Sequence, residues 1–308
     1  MDGAFSKVFS KVFSCPGSAT DVGFGCLLID FEMRSTRSTN RGHDMIRNTF
    51  RDKLNQGLPT VGTHFMLTDP DVVELIGGVG YFDYGEFTAE YSAFDLPHLY
   101  HLGRAGDAAG LPLMVKPDQA SQAFVAQGAL GAGFHAVLFT DIRTAEDVSI
   151  AHRIIRPETP EANGHMGVKL RRPALGSYDT EAYIQSLNDV VFCIMIEKHA
   201  AVENLTAILD AAAKLGVDMV QWGPADYSLS VGHPALQRSK DILPIESKVI
   251  TESLAAGLHP RIEIGSPDQA QRFIDQGVRH FCVGWDRFIL RQKLLEIGES
   301  MRSVTEGI

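Results

Sequence analysis

Short, almost continuously apolar runs recur along the chain from Met45 onwards, and segments with helical periodicity separate them. Strands that are apolar on both sides are typical of a parallel sheet covered by helices. The pattern predicts eight strands, at residues 59–66, 81–87, 112–117, 136–141, 190–197, 218–224, 261–266 and 280–285.

Helix signals lie between these runs. A capping residue followed by proline, or by an acid or amide three positions later, marks a helix start. Such starts occur at Asp69-Pro70, at Thr144 with Asp147, and at Ser266-Pro267 with Gln269. Gly216 and Gly277 predict the ends of two helices.

Eight strand–helix units in one chain predict a (β/α)8 TIM barrel over residues 45–308. A doubly wound open sheet is the alternative, but no glycine-rich nucleotide-binding fingerprint follows any of the runs. Residues 1–44 contain a short repeat, FSKVFSKVFS, and a polar stretch without periodicity. We expect them to form a poorly ordered extension that contributes nothing to catalysis.

The net charge of −10 argues against a nucleic acid as partner. The short basic cluster of Lys169, Arg171 and Arg172 lies in residues 142–189, which we expect to be partly loop; these side chains are either solvated or recognise an acidic group of a substrate. No apolar run approaches the roughly 20 residues that a membrane span needs. The four cysteines are scattered and lack zinc-site spacing. We therefore expect a cytoplasmic protein without a membrane partner.

Two acids follow neighbouring predicted strands. Glu197 ends the fifth run, and Asp226 follows the sixth run after the Gly223-Pro224 pair. The C-terminal ends of barrel strands meet at one mouth, so these carboxylates are expected to converge there. Carboxylate oxygens are ligands that suit Mg²⁺ or Mn²⁺. The alternative is that each acid merely caps the helix that follows it.

The Gly223-Pro224 pair predicts a sharp corner that turns Asp226 toward the barrel axis. The backbone amides of Ala225 and Asp226 would then face the mouth like a helix N-terminus, which attracts a carboxylate. A cation beside such amides would bind a 2-oxo acid through its carboxylate and keto oxygens.

The sequence IMIEKHAAVENLTAILDAAAKLGVDMVQWGPADYSLSVG, residues 194–232, resembles the signature region of the HpcH/HpaI aldolase family. The similarity extends from Asn48 to Leu295 and includes GSPDQAQRFIDQGVRHFCVGWD near the end. The family consists of class II, metal-dependent aldolases that cleave 4-hydroxy-2-oxo acids to pyruvate and an aldehyde.

The resemblance implies that Glu197 and Asp226 are ligands of Mg²⁺ or Mn²⁺, with Co²⁺ as a further candidate. It also implies that a small 2-oxo acid binds at the Gly223-Pro224 corner, where the amides of Ala225 and Asp226 contact its carboxylate.

Several positions depart from the family's pattern. After the second strand the family has Asp-x-Glu-His, and this chain has Thr88, Glu90 and Tyr91. After the third strand this chain has Lys116 where the family has an arginine. Lysine keeps the positive charge but lacks the guanidinium group that can donate two parallel hydrogen bonds. The resemblance implies substrate contacts for Thr88 and Lys116, and catalytic roles for Lys116, Glu90 and Tyr91.

The identity of the general base stays open. Tyrosine is a poor base at neutral pH unless its pKa falls far below 10. Proton transfer is therefore expected to involve a water helped by Glu90, or Asp141, which stands where the family often has an apolar residue. His64 in the first strand is expected to be a packed histidine.

The expected reaction is cleavage of a 4-hydroxy-2-oxo acid to pyruvate and an aldehyde through a metal-stabilised enolate. The alternative is another enolate enzyme of the same superfamily: a CoA-ester lyase, a citrate-forming synthase or a decarboxylating synthase. A third hypothesis is a binding protein that has lost turnover. The resemblance further implies a homo-oligomer, commonly a hexamer that exchanges its final helices.

Overall fold

The computed structural model describes residues 47–168 and 179–308, in which eight parallel strands pair in chain order and close into a barrel. The strands are β1 (Thr60–Phe65), β2 (Tyr84–Phe87), β3 (Leu113–Val115), β4 (Ala136–Phe139), β5 (Val191–Ile196), β6 (Met219–Trp222), β7 (His259–Ile264) and β8 (His280–Trp285). β8 pairs with β1, placing His280 beside Thr60. The predicted (β/α)8 barrel is confirmed, and the open-sheet alternative is wrong.

Helices surround the barrel and join its strands. In the described residues they are α1 (Thr49–Asn55), α2 (Pro70–Gly78), α3 (Leu96–Ala109), α4 (Gln122–Ala132), α5 (Ala145–Ile155), α6 (Thr180–Asn188), α7 (His199–Glu203), α8 (Leu205–Lys214), α9 (Pro224–Ser230), α10 (Leu243–Ala255), α11 (Gln271–Ile274) and α12 (Asp286–Thr305). The predicted N-terminal extension, residues 1–44, and the basic cluster around Arg171 lie outside the described residues.

Two of the three predicted helix starts are confirmed. Asp69 caps α2, and Thr144 with Asp147 forms a reciprocal capping box on α5. The prediction at Ser266 is wrong in detail, because its hydroxyl donates to the Asp268 carboxylate and does not cap the backbone. A short 3₁₀ turn and the four-residue α11 therefore replace one regular helix there.

The barrel is closed at the N-terminal end of its strands. Phe50 of α1 is fully buried and stacks on Tyr84 inside the barrel with ring centroids 4.3 Å apart. Arg51 fixes α1 through an ion pair with Asp218, immediately before β6. The open end of the barrel interior is consequently the other one, where the strands finish. Within the described ranges, no helix combines the length and apolar character required to cross a membrane.

Candidate active site

A cavity of about 430 Å³ opens at the C-terminal ends of the strands. It brings together side chains that follow β3, β5 and β6 with others from β7, β8 and the start of α12. Lys116, Glu197 and the corner Gly223–Asp226 all line it. The structure therefore gathers most of the predicted site residues around one space large enough for a small organic acid.

Glu197 is held in a defined orientation although it has almost no access to solvent. It follows β5 directly and is 3% exposed. The backbone amide of Asp141 donates a 2.8 Å hydrogen bond to Glu197 Oε1. Asp141 adopts a left-handed φ of 58°, which is unusual for a residue other than glycine and aims this amide at the carboxylate. Burial raises the pKa of Glu197 to about 7, despite the opposing effects of Lys116 and the Asp141 amide.

The Gly223-Pro224 corner begins α9, with Gly223 at the N-cap and Pro224 in the first turn. A Cβ atom added at Gly223 would lie 2.5 Å from Glu197 Cβ and 3.0 Å from its Oε2. Only glycine therefore allows this close approach of the corner to Glu197. Ala225 and Asp226 follow Pro224, so their amides are among those without a partner inside the helix.

Lys198 connects Asp226 to the neighbouring loop. Its ammonium group lies 2.7 Å from Asp226 Oδ1 and 2.8 Å from Asp141 Oδ1. Burial works to lower the pKa of Lys198, but its hydrogen bonds to both aspartates raise it above the usual value. Lys198 was not among the predicted site residues, although its position directly after Glu197 on a strand end was a usable signal.

The residues present fit a divalent cation. Glu197 is a buried carboxylate with a raised pKa, which shows that its negative charge is only partly compensated by its surroundings. Asp226 adds a second negative charge nearby and raises the pKa of Glu197 further. A hard cation prefers oxygen ligands of this kind, and it would supply the missing positive charge.

Lys116, Glu90 and Tyr91 form a contiguous group, of which Lys116 and Tyr91 line the cavity. The ammonium group of Lys116 lies 2.8 Å from Glu90 Oε2 and donates a 3.2 Å hydrogen bond to the Tyr91 hydroxyl. Burial works to lower the pKa of Lys116, but Tyr91 and Glu90 raise it above its usual value, so the side chain is a permanent cation. Burial raises the pKa of Tyr91 to about 12, which makes it a neutral phenol.

Two other predicted residues lie away from the cavity. Thr88 is fully buried, and its hydroxyl donates to the Phe65 carbonyl at 3.1 Å, which leaves it no surface for substrate contact in this structure. His64 is packed inside the barrel, as expected, with its ring stacked on Trp285 at 5.3 Å between centroids.

Below the cavity, the barrel interior contains ionic side chains that the sequence analysis did not single out. Arg261 of β7 is fully buried and forms an ion pair with Glu86 of β2 and a 2.7 Å hydrogen bond with the Tyr84 hydroxyl. His64, Glu86 and Cys282 have potential metal-ligand atoms within 4.8 Å of one another. Because Arg261 already neutralises Glu86, this cluster is better explained as a structural ion pair.

Comparisons with known proteins show the family of this chain. The family described as HpcH/HpaI aldolase/citrate lyase matches residues 90–292. The chain is 28% identical over 247 residues to the 4-hydroxy-2-oxo-heptane-1,7-dioate aldolase of Klebsiella pneumoniae, covering 80% of this chain and 90% of the relative. It is 25% identical over 252 residues to the 2-keto-3-deoxy-L-rhamnonate aldolase of Escherichia coli K12, covering 81% of this chain and 91% of the relative.

A solved structure shows the same architecture. The HpcH/HpaI aldolase/citrate lyase family protein from Burkholderia cenocepacia J2315 superposes with a TM-score of 0.73 and 26% sequence identity. The match covers 83% of this chain and all of that protein, so the two chains share the barrel fold.

Proposed function

Because this chain belongs to the HpcH/HpaI aldolase/citrate lyase family, we propose that it is a divalent-metal-dependent lyase that cleaves a 4-hydroxy-2-oxo acid to pyruvate and an aldehyde. Its curated relatives are aldolases, which places it in the aldolase and lyase superfamily of enzymes. The observation that carries the proposal is the buried Glu197 carboxylate beside Asp226 at the cavity, next to the first turn of α9.

Glu197 and Asp226 would hold the cation, with Mg²⁺ or Mn²⁺ as the preferred candidates and Co²⁺ as a third. When bound, such a cation supplies positive charge to a keto oxygen on which negative charge develops. The amides of Ala225 and Asp226 would orient the substrate carboxylate. Lys116 would stabilise the enolate oxygen, because its side chain lines the cavity and carries a permanent positive charge.

Cleavage requires removal of the proton from the 4-hydroxyl group. The C3–C4 bond then breaks and C4 becomes the carbonyl carbon of the aldehyde. The electron pair of the broken bond passes to the enolate of pyruvate. A proton delivered to C3 completes the pyruvate methyl group. Tyr91 is unsuited to take the first proton because its pKa of about 12 keeps it a phenol. Its proposed contribution is to position Lys116, to which it is hydrogen-bonded.

Glu90 is the better placed of the two acids considered for proton transfer. Asp141 is engaged by both Lys198 and Arg143, whose distances to Asp141 Oδ1 are 2.8 Å and 3.3 Å. Among the described ion pairs Glu90 has one cationic partner, Lys116, and it is Lys116 that lines the cavity. We propose that Glu90 assists proton transfer through water and that Asp141 chiefly positions Glu197 and Lys198.

A second candidate function keeps the enolate and changes the reaction partner. Such an enzyme would be a CoA-ester lyase, a citrate-forming synthase or a decarboxylating synthase. The observation that favours it is the replacement of the family's histidine and arginine by Tyr91 and Lys116, both of which line the cavity.

Exchange of the pyruvate methyl protons with D₂O tests the shared part of both candidates. We expect exchange in the presence of Mn²⁺ or Mg²⁺, its loss with EDTA, and its return when metal is restored. Pyruvate release from a 4-hydroxy-2-oxo acid at a comparable rate supports the lyase, whereas exchange without any release supports the second candidate. Tight oxalate binding without exchange would instead indicate a binding protein and contradict both.

We also propose that the chain forms a homo-oligomer, with a hexamer implied by the family resemblance. Beyond the two that line the cavity, α12 exposes a series of large apolar side chains that a neighbouring copy would cover: Leu290, Leu294, Leu295, Ile297 and Met301. Light scattering of the purified protein tests this, and a particle of 33.7 kDa, the mass of one chain, would contradict it.

A further inference from the structure

Glu263 places a third acid in the cavity, beside Glu197 and Asp226, on the wall that faces Lys116. It lies on β7, and in a barrel of eight strands β7 is opposite β3, after which Lys116 follows. Residues two apart on a strand point the same way, so Glu263 lies one layer above the buried Arg261, toward the mouth. Its side chain is 36% exposed and lines the cavity.

Both carboxylate oxygens of Glu263 are fixed by neutral donors. The Trp285 indole donates a 3.0 Å hydrogen bond to Oε1, and the amide of the buried Gln221 donates a 3.4 Å bond to Oε2. The His64 ring nitrogen Nε2 lies 3.7 Å from Oε2. Burial lowers the pKa of His64, so this ring is neutral near pH 7 and supplies no countercharge.

Glu263 therefore presents a carboxylate whose negative charge is not neutralised by a cation and whose oxygens can accept further hydrogen bonds. Among the ion pairs of the described residues, its partner is His64 alone. A carboxylate accepts several hydrogen bonds and donates none when ionised. A ligand group beside it must consequently donate, and a second carboxylate there would be repelled and left without a partner.

The surface next to Glu263 is aromatic. The Trp285 ring stacks on Phe288 at 5.4 Å and on Tyr91 at 5.9 Å between centroids, and all three side chains line the cavity. A wall of this kind packs against carbon–hydrogen faces, while the adjacent carboxylate accepts hydrogen bonds from hydroxyl groups. That combination suits a chain carrying several hydroxyl groups.

We propose that Glu263 determines specificity by binding hydroxyl groups on the aldehyde portion of the substrate and by rejecting an acidic tail. This inference rests on the proposed aldolase function. The 2-oxo acid group of the substrate must bind at Lys116 and the first turn of α9 for the other end of the substrate to reach Glu263. The substrate class is then a 2-oxo acid with a polyhydroxylated tail.

The test measures kcat/KM for pyruvate addition to glyceraldehyde, propanal, succinic semialdehyde and 3-aminopropanal. Wild-type protein should favour glyceraldehyde over succinic semialdehyde by on the order of 10-fold or more, which corresponds to one charge-assisted contact. Glu263→Gln keeps the side-chain size and should reduce this ratio about 10-fold. Glu181→Gln, the same change on the exposed surface of α6, should leave it unaltered.

The outcomes separate this inference from the proposed function. Methyl-proton exchange of pyruvate alone in wild-type protein establishes enolate formation without any aldehyde. If exchange occurs and Glu263→Gln leaves the aldehyde ratio within twofold of wild type, the role of Glu263 is refuted while the proposed function stands. A wild-type preference for succinic semialdehyde or 3-aminopropanal refutes it equally. Absence of exchange overturns the proposed function, and this inference falls with it.

Discussion

Asp226→Ala is expected to weaken Mn²⁺ binding by on the order of 100-fold or more. Changes to residues that only support a metal ligand cost about 10- to 100-fold in affinity, so loss of a ligand should cost at least as much. Glu197 would remain, but one buried carboxylate with a pKa of about 7 is partly protonated at neutral pH and binds a cation poorly alone.

A titration with Mn²⁺ measures this affinity. The electron paramagnetic resonance signal of the unbound ion monitors the titration. Asp210→Ala is the matched control, because Asp210 is exposed on α8 and the substitution is the same. Lys198 keeps its ion pair with Asp141 in the Asp226→Ala variant, so the loop should stay folded. Affinity within threefold of wild type in Asp226→Ala would refute the assignment of Asp226 as a ligand.

Lys116→Met is expected to slow pyruvate methyl exchange about 10²- to 10³-fold at saturating Mn²⁺. Removing one preorganised group that stabilises a developing oxyanion has this effect in other enzymes. The methionine fills a similar volume, so the loss should reflect the charge. Saturating metal is needed because Lys116 also lowers the pKa of Glu197, and its removal would weaken metal binding indirectly.

Lys116→Arg distinguishes an electrostatic role from a structural one. Arginine keeps the positive charge and restores the group common in the family at this position, so exchange and cleavage should be retained or increased. Complete loss of both activities in Lys116→Arg, with an unchanged melting temperature, would show that Lys116 does something other than stabilise negative charge.

The strands and their order could be predicted because a parallel barrel imposes a local signal. Each strand is buried on both faces and reads as a short apolar run, and all eight runs became strands in the described part of the chain. Strand limits differed by up to three residues, as at β2, which begins at Tyr84, three residues after the start of the predicted run. Asp69 and Thr144 were predictable as caps for the same reason, since their partners lie within three residues.

The directions of side chains and the contacts between residues far apart in the chain could not be predicted from local sequence patterns. Thr88 follows the apolar strand β2 much as Glu197 follows β5, yet its hydroxyl is buried against the backbone of β1. Lys198 joins Asp141 and Asp226 across two loops, and neither contact has a local signature. Glu263 did leave a signal: Arg261 and Glu263 alternate with isoleucines, which places both charges on one side of β7.

The central claim is that Glu197 and Asp226 together hold one divalent cation that binds a 2-oxo acid. Anomalous diffraction from crystals soaked with Mn²⁺ and oxalate, a mimic of the pyruvate enolate, tests it most directly. The account predicts a single Mn²⁺ about 2.0–2.2 Å from an oxygen of each side chain, with oxalate completing its coordination and one oxalate carboxylate at the amides of Ala225 and Asp226. Mn²⁺ density elsewhere, or none at the cavity with the two carboxylates turned apart, would contradict the account.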